Sequence, residues 1–158
     1  MNVRLIDTSI LLNLLGVPGR CQDAETVKIE FDAAIREKDT LILPFATIIE
    51  TGNKIAQIRG ERKHHIAEKF TEYLKRTALD EAPWSCASFD ISNEDLFFYS
   101  EHFLDYADKS VGMGDLSIIH HYEKCKELLP VGNIMIWSTD QHLSAYKEVN
   151  VYKHRRRR

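Results

Sequence analysis

Short apolar runs of strand type alternate along this chain with longer segments of helical period, and that alternation limits the possible folds more than any other feature. The runs are residues 3–6, 40–43 and 133–137. After the first, Thr8 or Ser9 offers a cap for a helix that holds Ile10, Leu11, Leu12, Leu14 and Leu15. Within residues 24–38, Val27, Phe31, Ala34 and Ile35 fall at helical spacing, and residues 45–58 and 61–78 read as two helices separated by Gly60. Residues 80–89 have no clear period and read as a connection, with a short strand at 89–91. Ser92, with Asp95 three positions on, caps a helix over 93–106. Residues 115–129 and 141–147 are helical, and 149–152 form a last strand. Strands alternating with helices predict an α/β fold, with a central, mostly parallel sheet flanked by helices on both faces.

At 158 residues the chain suits one domain, here 1–152, followed by a basic tail over 153–158. Hydrophobic residues make up 44% and charged ones 28%, which excludes a disordered chain. The apolar runs fall far short of the roughly 20 residues that span a bilayer, and the amino terminus lacks a signal-peptide layout, so no membrane association and a cytoplasmic location are expected. Cys21, Cys86 and Cys125 are odd in number and widely spaced, which reads as free thiols. Two pairs of adjacent histidines, His64-His65 and His120-His121, cannot clamp one ion, because neighbours on a helix point about 100° apart. A glycine-rich phosphate loop is absent too.

Chemistry comes instead from the carboxylates. Ligands of an open parallel sheet bind outside the carboxyl ends of its strands. Asp7 ends the first strand and Asp140 follows the strand through Trp137, so both are expected at that edge; each also precedes a helix, where capping alone would explain it. Asp115 is at helical spacing from Ile118, Ile119 and Tyr122, which turns it toward a buried stripe. Glu50 shares a side with Asn53, Lys54 and Gln57, an ordinary solvated face if read alone; the apolar stripe there is Phe45, Ile48, Ile49, Gly52, Ile55 and Ala56. Converging carboxylates would repel unless a cation sat among them, and oxygen ligands suit Mg2+ or Mn2+.

Four segments resemble the PIN domain, in particular its VapC-type toxins. They are Asp7-Thr8-Ser9-Ile10-Leu11-Leu12-Asn13, Thr47-Ile48-Ile49-Glu50-Thr51-Gly52, Ser110-Val111-Gly112-Met113-Gly114-Asp115, and Ser138-Thr139-Asp140-Gln141-His142. Order and spacing agree along nearly the whole chain. The resemblance implies a PIN-like fold and a metal-dependent endoribonuclease with Asp7, Glu50, Asp115 and Asp140 around Mg2+ or Mn2+. Ser9, Asn13 and Ser138 would be polar support. It implies products with 5′-phosphate and 3′-hydroxyl ends and, for the toxin type, an antitoxin protein as partner and a homodimer. Leu116 and Ser117 depart from the family, which commonly has alanine after the third acid, and the chain is longer than many of the toxins. The rival is a non-catalytic PIN-like module that binds RNA or protein. The formal net charge of −3 is unusual for a binder of polyanions; Arg155, Arg156, Arg157 and Arg158 would supply the positive contact, although a solvated tail also explains them.

Overall fold

The computed structural model describes residues 1–87, 91–128 and 132–147. Its sheet has four parallel strands: β1 (Asn2–Ile6), β2 (Thr40–Leu43), β3 (Trp84–Cys86) and β4 (Asn133–Trp137), in the order β3-β2-β1-β4. Helices α1 (Thr8–Leu15) and α2 (Ala24–Arg36) link β1 to β2, and α3 (Phe45–Ala56) and α4 (Arg62–Ala78) link β2 to β3. Helices α5 (Asn93–Asp108) and α6 (Met113–Leu128) precede β4, and a 3₁₀ turn (Gln141–Tyr146) follows it. The architecture is α/β, as the alternation predicts.

Strand pleating separates two cores. Leu5, Ile42 and Ile136 are in register and face one way, while Ile6 and Trp137, also in register, face the other. Ile6, Leu41, Leu43, Trp84 and Trp137 pack with residues of α1 to α4. Leu5, Ile134 and Ile136 pack with Ile118, Ile119 and Tyr122 of α6 and Leu143 of the 3₁₀ turn. Helices therefore cover both faces, which is what parallel strands buried on both sides require.

Three elements differ from the expectation. Of the candidate caps of α1, Asp7 takes the place rather than Thr8 or Ser9, its side chain accepting from the Ser9 N–H. The connection after α4 contains strand β3, whose first residue Trp84 is buried and donates its indole N–H to Thr77 Oγ1 at 2.9 Å. The helix expected from 115 begins at Met113, which puts Asp115 in its first turn. The capping box of Ser92 and Asp95 forms as expected. The strand at 149–152 and the arginine tail lie outside the described residues, as do residues 89 and 90 of the short strand expected there. Among the described residues no helix is long and apolar enough to cross a membrane.

Candidate metal centre

The strand order reverses direction at β1: the chain moves outward through β2 and β3, then returns to add β4 on the other side. A crevice at such a switch point, outside the carboxyl ends of the strands, is the usual place for a ligand in an open α/β sheet. Asp7 follows β1 there and Ser138 follows β4, with the Asp7 N–H donating to the Trp137 carbonyl at 3.0 Å.

Asp7 is 3% exposed. Its Oδ2 accepts from Ser9 Oγ at 2.7 Å, from Ser138 Oγ at 2.7 Å and from the Ser9 N–H at 3.2 Å. Each hydroxyl has one proton. Both protons go to the carboxylate, and the hydroxyl oxygens then accept backbone N–H groups from the far side, Thr139 on Ser9 at 3.0 Å and Asp140 on Ser138 at 2.9 Å. The two serines thus hold Asp7 and fix the course of the chain leading to Asp140. Asp140 caps the 3₁₀ turn by accepting the His142 N–H at 2.9 Å. Capping is therefore real for both aspartates. For Asp7 it occupies Oδ2 and leaves Oδ1 out of these three bonds.

Asn13 supports this arrangement only indirectly. Its amide donates to the Ser9 carbonyl at 2.8 Å and accepts the Asp23 N–H at 3.0 Å, tying α1 to the start of α2.

Glu50 does not lie on the solvated face that its polar neighbours suggest. The most deeply buried line of α3 runs through Thr47, Thr51 and Ile55, while Ile49 and Ala56, expected in the apolar stripe, are exposed. Thr47 Oγ1 donates to the carbonyl of Ile6 at 2.7 Å, which fastens α3 over the end of β1. One helical turn on, Glu50 Oε2 accepts from Thr8 Oγ1 at 2.8 Å. The other side of this carboxylate rests on Gly114: a Cβ built there would stand 1.6 Å from Glu50 Oε1. Thr47 and Gly114, with Thr8, position the Glu50 carboxylate, a part that pattern reading does not assign them. The one available signal was a pair of threonines at i and i+4 on a helix that must bury one face.

The structure brings Asp7, Glu50 and Asp140 within electrostatic reach of Asp115. Asp115 is half-buried, and burial first, then the charges of Asp7, Glu50 and Asp140, push its carboxyl up to about 6, with His142 pulling the other way. A first-turn position normally favours a negative side chain by about 0.3–1 kcal/mol. Here desolvation and three like charges outweigh it.

Oxygen donors of one charge sign suit a hard divalent cation. Among the described residues no group of three or more histidine, cysteine, aspartate and glutamate side chains is placed to hold an ion as it stands. Mg2+ commonly takes one or two carboxylates and completes its shell with water and substrate phosphate.

One histidine of each adjacent pair meets a carboxylate. His64 faces Glu68 in an exposed pair at 3.3 Å, and His120 meets the buried Asp95 at 2.7 Å. Cys21, Cys86 and Cys125 are free thiols. No family model matches this chain, and no similar protein is found among curated ones.

Proposed function

We propose that the chain is a PIN-like, Mg2+- or Mn2+-dependent endoribonuclease acting in the cytoplasm, the toxin of a toxin–antitoxin pair. The observation that supports this reading is the coupling of Asp7, Glu50, Asp115 and Asp140 at the switch point of a parallel sheet. The ordered resemblance of the segments around them to the PIN domain gives the reaction class. A bound divalent ion would supply an activated water and charge neutralisation at the phosphodiester. The chain's own part is positional. Ser9 and Ser138 hold Asp7, Thr8 and Gly114 hold Glu50, and Asp115 offers a carboxyl that gains or loses its proton near neutrality. His142, exposed two residues past Asp140, would supply a ring nitrogen for phosphate oxygens at the rim.

Purified protein incubated with mixed cellular RNA is expected to cut it in Mg2+ or Mn2+, leaving 5′-phosphate ends. A chelator should stop cutting, and Asp7→Asn should lower the rate by at least about a hundredfold, the scale of losing a positioned charge at a reacting centre. RNA bound but uncut in every metal would replace the nuclease with the binding module.

The toxin role also brings a second copy of the chain and an antitoxin. A homodimer is supported by α5, which leaves Leu96, Phe97 and Leu104 exposed at spacings that put them on one side of the helix. Light scattering is expected to give twice the chain mass, reduced to one by Phe97→Asp with Leu104→Asp. A wild-type mass of one chain across micromolar concentrations would remove the dimer from the proposal.

A further inference from the structure

The face of α6 that begins at the Glu50 carboxylate does not end there. Gly114, Ser117, His121, Lys124 and Leu128 recur at three- and four-residue spacing, so they form one line along the helix. Ser117 Oγ donates back to the Gly114 carbonyl at 2.7 Å, so the line is continuous at its start. From Ser117 onward it forms one wall of a cavity of about 290 Å³, closed by Pro44, Phe45 and Ala46 at the start of α3 and by Tyr99 of α5.

The lining is organised by a buried charge. Asp95 is 5% exposed and is shared among four donors. Its Oδ2 accepts the Ser92 N–H and Ser92 Oγ, both at 2.9 Å; its Oδ1 accepts His120 Nε2 at 2.7 Å and meets the Lys124 ammonium. The Lys124 contact first, then the Ser92 N–H and His120, hold its carboxyl well below the usual range. In return the carboxylate fixes the His120 ring, which stacks on Phe98 at 3.9 Å between centroids and 16° between planes. Lys124 and His120 are thus committed to Asp95, so the cavity has little charge left for a phosphate.

What remains is neutral and two-sided. Neither the His121 imidazole nor the Tyr99 hydroxyl has a hydrogen-bond partner among the described residues. Burial, then Lys124 and His120, push the His121 imidazole down, so at neutral pH it offers one donor and one acceptor. Burial and the Asp95 charge push the Tyr99 phenol up and keep it protonated. A flat ligand with an apolar face and both donors and acceptors on its edge fits such a lining. Single-stranded RNA presents that chemistry as unstacked bases, which proteins hold between aromatic or imidazole rings and read along their edges. His121 is six residues past Asp115, or about 9 Å at the rise of an α-helix, within a short stretch of strand from the carboxylates.

We propose that this cavity is a subsite for one nucleobase of single-stranded RNA, close to the bond attacked at the carboxylate cluster. The inference rests on the nuclease reading above.

The test is an abasic scan. A labelled hexaribonucleotide, and versions each lacking one base, are titrated by fluorescence anisotropy in chelator and cut in Mg2+ in parallel, with wild-type protein and with Tyr99→Leu plus His121→Ala. Loss of one particular base is expected to weaken wild-type binding about tenfold, the scale of one stacked base, and to leave the variant unchanged within twofold. Either single substitution serves if the double variant melts early. Identical scans for both proteins would overturn the subsite even where cutting persists, and so would failure to bind any of the oligonucleotides. A position-specific loss without cleavage would uphold the subsite and reject the nuclease.

Discussion

Asp115→Asn is expected to make the metal-free protein more stable while removing nearly all cleavage. The two effects share one cause. In the fold the Asp115 carboxyl titrates at about 6 against an ordinary 3.8, because burial and three neighbouring carboxylates oppose its charge. A folded state that holds a proton more tightly than the unfolded chain gains stability from it below pH 3.8 and loses that gain as pH rises through about 6. Asparagine has no charge to oppose, so the variant should keep the gain above pH 6, on the order of 1 kcal/mol because water screens a half-buried group. Urea unfolding in chelator at pH 3.5 and pH 8 checks this: the difference between the two proteins should be small at pH 3.5, below the ordinary 3.8, and reach its full size at pH 8. Added Mg2+ should reverse the order at pH 8, stabilising the wild type by mass action and the variant far less. Cleavage by the variant should fall by about a thousandfold. A variant that cuts normally, or that is the less stable at pH 8 without metal, would sink the assignment.

The second large effect is expected from Gly114→Ala. The new Cβ would stand 1.6 Å from Glu50 Oε1 and 2.5 Å from Glu50 Cδ, so one of the two must move. The carboxylate is the end of a flexible side chain and gives way more readily than the helix. Swinging aside breaks its 2.8 Å bond with Thr8. Helix propensity favours alanine over glycine by about 1 kcal/mol, which offsets most of a lost hydrogen bond, so stability should change by less than about 1 kcal/mol. Catalysis is less forgiving: displacement of a reacting group by about 1 Å can cost a hundredfold, and a loss of about that size is expected. Gly112→Ala is the control, since its Cβ meets nothing within 4 Å. Equal cleavage by both variants would mean that Glu50 takes no part.

Much of this site could be read in advance because strand ends announce themselves. An apolar run followed by an aspartate places Asp7 and Asp140 at the carboxyl edge, and the stripe of Ile118, Ile119 and Tyr122 turns Asp115 inward. Glu50 was misread on its own helix because burial in α3 follows Thr47 and Thr51, whose hydroxyls are not counted as apolar although both residues are 0% exposed. Strand β3 escaped notice because three residues are too few to show a period and only Trp84 is buried. Gly114 could not have been found by pattern at all. Its role is set by a side chain 64 positions earlier in the chain, and a glycine in a helix gives no hint of what it makes room for.

The bond between Asp7 and Ser138 has a consequence for how the protein is made. Its partners are 131 positions apart, and β1 pairs with β4, the last strand described. Contacts of such long sequence separation form late, since a large loop must close before they reward the chain. During synthesis from the amino end, Asp7 leaves the ribosome long before Ser138 exists, and its carboxylate has Ser9 alone until β4 docks beside β1. On the nuclease reading proposed above, the chain would have no complete site while its own message is still being translated toward β4.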